Sequence, residues 1–298
     1  GSSYAAGQLY KNVTQNEHNK QVIEFKDREG KVILKKVQLT ADADTGTGKG
    51  HYGWLCTYYI YDDLNNLRCV VQPKGVELLA ANSWSMSYSS GIILSEQCFR
   101  YEYDGRNRMI MKMIPGAGTV YMIYDTRDRQ VMTQDSALRA AHKWMYVLYD
   151  AINRPVTTGL ITDNSYYNNA AYHRGQAENS TAYPNTGSYT NEELTKTFYD
   201  DYTWQSGEGN PLSATRSTTY DSYLLTASNT TFPYPQSATS QSNQLRGQVT
   251  GTKIKILGTS TYLYSVSFYD DRMRLIQTQS TNQTEGTDVA IMQYSWAG

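Results

Sequence analysis

A repeated Tyr-Asp pair is the feature that most constrains how this chain can fold. Four of the five clear copies carry an Arg four residues after the Asp, and two successive intervals between copies are 21 and 25 residues long. Repeats of this length are typical of one supersecondary unit that must stack on its neighbours to bury a core. The clear copies are Tyr61-Asp62, Tyr103-Asp104, Tyr124-Asp125, Tyr149-Asp150 and Tyr269-Asp270, and the weaker ones are Phe25 to Asp27, Tyr199-Asp200 and Tyr220-Asp221.

The residues that follow each pair predict a β-hairpin turn. An Asp at the first turn position accepts hydrogen bonds from backbone N–H groups that follow it. The residue three positions later is usually Asn, Asp or Gly, which tolerate the left-handed conformation that ends such a turn. Met273 and Thr203 occupy this slot too, so their turns should differ in geometry or carry strain. The predicted turn residues are Asp27, Gly30, Asp62, Asn65, Asp104, Asn107, Asp125, Asp128, Asp150, Asn153, Asp200 and Asp270.

The stretches that flank the turns read as strands. Tyr101 and Tyr103 before one turn, and Met109, Met111 and Met113 after it, alternate with other residues at the period of two expected of β-structure. Most of the 27 Tyr residues lie on such stretches, where cross-strand packing is their default role. We therefore predict an all-β fold in which antiparallel repeat hairpins form a curved, open sheet or partial shell, with long polar loops and at most short helices.

Two long stretches interrupt the repeat. Residues 161–196 and 205–246 are polar and too long to be tight connections in a compact hairpin array, so each is either a functional loop or contains extra strands. We predict a single repeat domain over residues 1–298, belonging to a longer polypeptide, with these two stretches as insertions. A shorter interruption, residues 73–99, has a helical pattern around Val76 to Ala81 that is opened by Pro73.

Composition and motifs exclude several classes of function. The formal net charge of -1 does not favour a nucleic-acid or anionic-membrane surface, and no apolar run is long enough to span a membrane. The three cysteines lack metal-like spacing, and Asp42 and Asp44 lack the Gly and Glu that complete a calcium loop. Residues 115–118 resemble a phosphate loop but lead into a strand. We therefore predict no catalytic, metal or cofactor site, and read adjacent Asp pairs such as Asp62-Asp63 as turn chemistry.

The repeat resembles the tyrosine-aspartate (YD) repeat of the bacterial rearrangement-hot-spot (RHS) family. The copies carrying the likeness are Y-E-Y-D-G-R-N-R-M (101–109), I-Y-D-T-R-D-R-Q-V (123–131), L-Y-D-A-I-N-R-P-V (148–156) and F-Y-D-D-R-M-R-L-I (268–276). The phrases at 24–36, 114–121, 245–259 and 278–282 are similar to the N-terminal region of large RHS-like proteins. Asn or Asp often replaces the family's usual turn Gly. The resemblance implies repeats that coil into a hollow shell around a C-terminal toxin or effector.

These observations leave two hypotheses and a weaker third. The first is a non-enzymatic structural scaffold or encapsulating-shell module of a large secreted or cell-surface protein, whose partner is the remainder of its own polypeptide. The family's self-cleaving protease motif contains an Asp-Pro pair, which this sequence lacks, so no protease residues are assigned. The alternative is a module that binds a glycan or cell-surface protein through the loop tyrosines Tyr166, Tyr167, Tyr172, Tyr183 and Tyr189. A glycosidase would need a carboxylate pair, which nothing in the sequence selects.

Overall fold

The computed structural model describes residues 4–5, 7–44, 46–48, 50–87, 91–236 and 240–296. The chain divides into two compact units. The first unit comprises residues 1–143 and 164–181, and the second comprises residues 144–163 and 182–298.

The first unit contains an antiparallel sheet whose nine strands are hydrogen-bonded in sequence order. Each repeat turn in this unit joins an even-numbered strand to the next odd-numbered one, so these turns lie at the same end of the strands. The strands are β1 (Tyr10–Gln15), β2 (Gln21–Lys26), β3 (Val32–Gln38), β4 (Trp54–Tyr61), β5 (Leu67–Val71), β6 (Cys98–Tyr103), β7 (Met109–Ile114), β8 (Gly118–Tyr124) and β9 (Gln130–Gln134).

Short helices fill the connections of the first unit. They are α1 (Pro73–Ala81), α2 (Ile92–Glu96), α3 (Ser136–Ala140) and α4 (Ala170–Ala177). Pro73 stands at the start of α1, where its missing N–H is not needed by the helix. Val76 and Leu79 of α1 and Ile93 of α2 pack on the strands in a core that also contains Ile23 and Trp54. The free thiols of Cys56, Cys69 and Cys98 are buried in the same core.

The second unit contains a similar antiparallel meander in the order β10-β11-β12-β14-β15-β16-β17, and a separate two-stranded ribbon of β13 and β18. The strands are β10 (Lys143–Tyr149), β11 (Pro155–Thr162), β12 (Thr190–Tyr199), β13 (Pro235–Gln236), β14 (Val249–Lys255), β15 (Tyr262–Tyr269), β16 (Leu275–Thr281), β17 (Thr287–Ile291) and β18 (Tyr294–Ser295). Single-turn 3₁₀ helices lie at Thr186–Ser188, Thr203–Ser206 and Asp221–Tyr223.

The predicted fold class is confirmed: the chain is an open, antiparallel all-β protein with only short helices. Among the described residues, β1 pairs only with β2 and β17 pairs only with β16. In neither unit does the sheet close on itself, because its first and last strands are not hydrogen-bonded neighbours.

The two polar stretches are partly built into the sheet. The first begins inside β11 and ends inside β12, so its non-strand part runs only from residue 163 to 189. The second packs on the sheet of the second unit, where Leu212 joins the core around Val266 and Phe268. Just before this stretch, the ring of Trp204 stacks on Phe198 with centroids 3.9 Å apart.

Two buried glutamines hold the second stretch against β16. Gln277 exchanges hydrogen bonds with the backbone of Ser217, at 2.8 Å each way, and Gln279 donates to the carbonyl of Thr215 at 3.3 Å. Amides buried in a sheet need such partners. This explains why the polar stretch covers the sheet although it lacks apolar periodicity.

The residue 38–50 segment of the first unit is organised by a buried lysine. Lys36 is 1% exposed, and its ammonium donates to the carbonyls of Gly48, at 2.7 Å, and Gly50. The ammonium also lies 4.6 Å from the centre of the Trp54 ring. Burial lowers the pKa of Lys36. Asp44 pairs with Lys11 and accepts hydrogen bonds from the N–H groups of Gly46 and Gly48, so it serves as a loop residue.

Candidate functional site

The repeat turns share one geometry, which is clearest at Asp104. Its Oδ1 accepts hydrogen bonds from the N–H groups of Arg106, at 2.9 Å, and Arg108, at 3.0 Å. The backbone closes through Asn107 N–H to the Asp104 carbonyl and Asp104 N–H to the Arg108 carbonyl, at 3.0 Å each. Asn107 has a φ of 60°, in the left-handed region. A type I turn followed by a left-handed residue is a common hairpin connection.

The other copies place their predicted turn residues in the same way. Gly30, Asn65, Asp128 and Asn153 have φ values of 87°, 67°, 60° and 69°. The carboxylates of Asp27, Asp62, Asp125, Asp150 and Asp270 each accept from the backbone N–H groups two and four residues later. The strand register also shifts by one residue where the repeat aromatic is reached, for example between Glu102 and Tyr103.

The two exceptional slots differ from one another. Met273 adopts the common geometry with a φ of 60°, an unfavourable value for a residue of this kind. Asp200 itself has a positive φ of 73°, and Thr203 begins a 3₁₀ helix instead of closing a hairpin. The first turn therefore carries strain, and the second has a different geometry because the chain leaves the sheet between β12 and β14.

A contact between successive repeats, which the sequence pattern did not reveal, begins at the Arg of each turn. Arg108 pairs with Asp104 through Nε, at 2.7 Å, and Nη2, at 2.6 Å. Its guanidinium lies 5.0 Å from the ring centre of Tyr124, the tyrosine of the next repeat. The Tyr124 hydroxyl then donates to the Met109 carbonyl, at 3.0 Å. One Arg-Tyr pair thus links two hairpins.

The same relation recurs along both units. A basic residue lies over the next repeat tyrosine in the pairs Lys31 and Tyr61, and Arg154 and Tyr199. The tyrosine hydroxyl donates to a carbonyl of the preceding strand in the pairs Tyr103 and Leu67, Tyr199 and Pro155, and Tyr269 and Val249, at 2.8 to 3.1 Å. Tyr294 of β18 makes the same two contacts, with Arg274 over its ring and its hydroxyl donating to the Leu275 carbonyl of β16 at 2.8 Å, although no Asp follows it. We call the turn Asp, its left-handed residue, the basic residue and the next repeat tyrosine the turn ladder.

The left-handed residues also join neighbouring turns. Lys31 donates to the Asn65 side chain, Asn66 donates to Asn107 Oδ1 at 3.1 Å, and Arg108 donates to Asp128 Oδ1 at 2.8 Å. Asn and Asp at this slot therefore supply an acceptor as well as a tolerated backbone conformation. This second reason for their presence could have been suspected from the polar or basic residue that follows the slot in each turn.

The carboxylates of Asp104, Asp128 and Asp200 are held in their ionised form. Burial acts to raise the pKa of Asp104, but the hydrogen bonds from Arg108 and from the turn N–H groups lower it below its usual value. The hydrogen bond from Arg106 lowers the pKa of Asp128. Hydrogen bonds from Arg154, and from the N–H of Gly247, lower the pKa of Asp200 to about 2. These groups suit permanent acceptor roles and not proton donation near neutral pH.

The candidate loop tyrosines are divided between the two units, with Tyr166, Tyr167 and Tyr172 in the first. Tyr166 and Tyr172 stack on each other with ring centres 3.7 Å apart, and Tyr167 stacks on His142 at the same distance. Tyr183 and Tyr189 belong to the second unit, where both are half-buried. One face each of Tyr166, Tyr167 and Tyr172 is thus covered by another ring, although Tyr166 remains 41% exposed.

Metal-binding clusters and membrane-spanning helices are both absent from the part of the chain that the structure describes. It contains no cluster of three or more His, Cys, Asp or Glu side chains that could hold a metal ion. No helix within it is both long and apolar enough to cross a membrane.

Comparisons with known proteins find a structural likeness only. No protein-family model and no curated protein matches the sequence. Solved structures similar to this chain include a crystal structure of TcdB2-TccC3-Cdc42, with a TM-score of 0.40 and 14% identity over 94% of this chain and 13% of that chain. The Photorhabdus luminescens Tc holotoxin pore with a TccC3 mutation gives a TM-score of 0.40 and 14% identity over 94% of this chain and 12% of that chain. The chain spans only about an eighth of the length of these structures.

Proposed function

We propose that this chain is a non-enzymatic structural module, contributing interlocked β-hairpins to the scaffold or encapsulating shell of a larger RHS-like protein. The observation that carries the proposal is the turn ladder. In the pairs Lys31 and Tyr61, Arg108 and Tyr124, and Arg154 and Tyr199, one hairpin offers a basic residue and the next offers a tyrosine, so the arrangement can be extended by any hairpin with the same residues.

The energies of these links suit an extended array. A guanidinium over an aromatic ring contributes about 0.5–1 kcal/mol at exposed sites, and a hydrogen bond contributes about 1 kcal/mol. Each link is small, but arrays gain stability from many equivalent contacts between neighbours. Arg108, Arg154 and Arg274 make such links in three separate turns.

The chemistry of the ladder also favours a structural role. The Asp104 carboxylate is ionised and accepts hydrogen bonds from Arg108 and from the turn N–H groups. Such groups lack the raised pKa expected of a general acid. On the family resemblance, we further propose that the partner is the remainder of the same polypeptide, with more repeats and a C-terminal toxin or effector, and that the protein is secreted or displayed at the cell surface.

Unpaired sheet edges provide the test. The outer edges of β1 and β17 have no strand partner among the described residues, and free edges are templates for pairing with another chain. We expect light scattering to show concentration-dependent association of the 298-residue chain. Val13 lies on β1 and is 46% exposed. Val13→Lys should weaken the association, whereas the control Val13→Thr should retain it. A strict monomer at high concentration would contradict the proposal.

A further inference from the structure

The second unit carries an open groove beside its two-stranded ribbon. The groove has a volume of about 460 Å³ and is lined by Thr226, Ser228, Tyr234, Pro235, Gln236 and Trp296. None of the five loop tyrosines named above lines the groove. Tyr234 and Trp296 are each 73% exposed, whereas the ladder tyrosines Tyr199 and Tyr294 are half-buried.

Backbone bonds hold the two exposed aromatic residues side by side. The ribbon pairs Pro235 with Ser295, and the Trp296 N–H donates to the Tyr234 carbonyl at 3.0 Å. The Tyr234 N–H in turn donates to Ser228 Oγ at 2.8 Å. Tyr234 has a φ of 51°, which costs energy in a bulky residue. The groove is therefore formed before any ligand arrives, at the expense of local strain.

The polar groups at the groove are incompletely used within the protein. Gln236 Oε1 accepts from Arg274 at 3.2 Å and from Arg272 at 3.4 Å, but its carboxamide nitrogen has no partner in the described part of the chain. Neither the Thr226 hydroxyl nor the Trp296 indole N–H has one among the same residues. These groups can serve a ligand that carries several hydroxyl groups.

An arginine without a carboxylate partner stands at the groove. The Arg272 guanidinium lies 5.9 Å from the ring centre of Trp296 and makes no salt bridge with the described residues. Its neighbour Arg274 is paired with Asp270 at 2.7 Å. A guanidinium that has no carboxylate partner within the described part of the protein favours a ligand that carries a carboxylate, because the two groups can form charge-assisted hydrogen bonds.

We propose that this groove binds an acidic saccharide, in which pyranose rings carry carboxylates. The apolar face of a sugar ring would lie on Tyr234 or Trp296, because rigid amphipathic aromatic side chains supply contact area at little entropic cost. The sugar hydroxyls would bond to Gln236 and Thr226, and the carboxylate would bond to Arg272. A neutral saccharide would leave the arginine unused.

Calorimetric titration of the whole chain with a short oligogalacturonate tests this assignment. The matched ligand is the same oligosaccharide with its carboxylates methyl-esterified, which keeps the rings and removes the charge. We expect saturable binding of the acid form, and binding of the ester that is weaker by about tenfold. Trp296→Ala should weaken the binding of both ligands. Arg272→Gln should reduce the acid form to the affinity of the ester and leave the ester unchanged.

Control variants show whether a loss of binding is specific to the groove residues or follows the loss of any exposed Trp or Arg. Trp84→Ala removes a Trp that is 47% exposed in the first unit, and Arg106→Gln removes a surface arginine of that unit; both should bind like the wild type. Circular dichroism should show that all variants remain folded, because the replaced side chains are exposed. Equal affinity for acid and ester, equal losses in the control variants, or absence of saturable binding would overturn the proposal. Binding of a proline-rich peptide in place of the saccharide, lost in Trp296→Ala, would also overturn it.

Discussion

Replacement of Asp104 separates the two tasks of a repeat carboxylate. The Asp104 carboxylate accepts two hydrogen bonds from turn N–H groups and two from Arg108, and the side chain is only 12% exposed. A hydrogen bond contributes a net stabilisation of about 0.5–1.5 kcal/mol, and we take about 0.5–1 kcal/mol for each of these four because they share one carboxylate. Asp104→Ala should therefore lower the free energy of unfolding by about 2–4 kcal/mol.

In the matched variant Asp104→Asn the free energy of unfolding should fall by about half as much, about 1–2 kcal/mol. An Asn can keep the turn bonds, as Asn282 shows by accepting from the N–H groups of Thr284, at 3.1 Å, and Gly286, at 2.9 Å. Urea unfolding followed by circular dichroism measures both losses. A loss in Asp104→Ala below about 0.5 kcal/mol, or equal losses in the two variants, would refute this division of roles.

Two further predictions concern strain and pH. Met273→Gly should raise the free energy of unfolding, measured in urea, by about 0.5–1 kcal/mol, because Gly adopts the φ of 60° without steric cost. The control Asn107→Gly should change the free energy of unfolding less, because Asn already tolerates that φ. Equal effects of the two replacements would refute the assignment of strain to Met273. The pKa of Asp200 is lowered to about 2, so its contribution is present above its usual pKa and is lost as the pH falls from about 4 through about 2. The fall in stability over that window should be shallower in Asp200→Asn than in the wild type, and an unchanged slope would show that the Arg154 contact does not stabilise the fold.

The turns could be predicted from sequence because their determinants are local. An Asp with a left-handed-tolerant residue three positions later fixes the hairpin, and hydrophobic alternation fixes the strands on either side. The link from Arg108 to Tyr124 could not be predicted, because it joins residues of successive repeats whose separation varies with insertions. Its consistent geometry appears only once β7 and β8 are placed side by side.

The packing of the polar stretches could not be predicted from the sequence for a different reason. Residues 205–246 have no apolar periodicity, and their attachment depends on single contacts such as Gln277 with Ser217 and Gln279 with Thr215. The glycan hypothesis for the loop tyrosines stays a prediction, and the stacking of Tyr166 on Tyr172 could not be predicted from the sequence. Composition identified a tyrosine-rich loop but contained no information about which aromatic faces are covered.

A double-mutant cycle on Arg108 and Tyr124 tests most directly whether the ladder couples successive hairpins. The variants Arg108→Met and Tyr124→Leu keep much of the apolar volume and remove the guanidinium and the aromatic ring. Unfolding free energies of the wild type, both single variants and the double variant should give a coupling of about 0.5–1 kcal/mol. The control cycle of Arg108 with Tyr61, whose ring is faced by Lys31, should be additive. Additive effects in both cycles would contradict the account, because the hairpins would then be stacked without being coupled through the ladder.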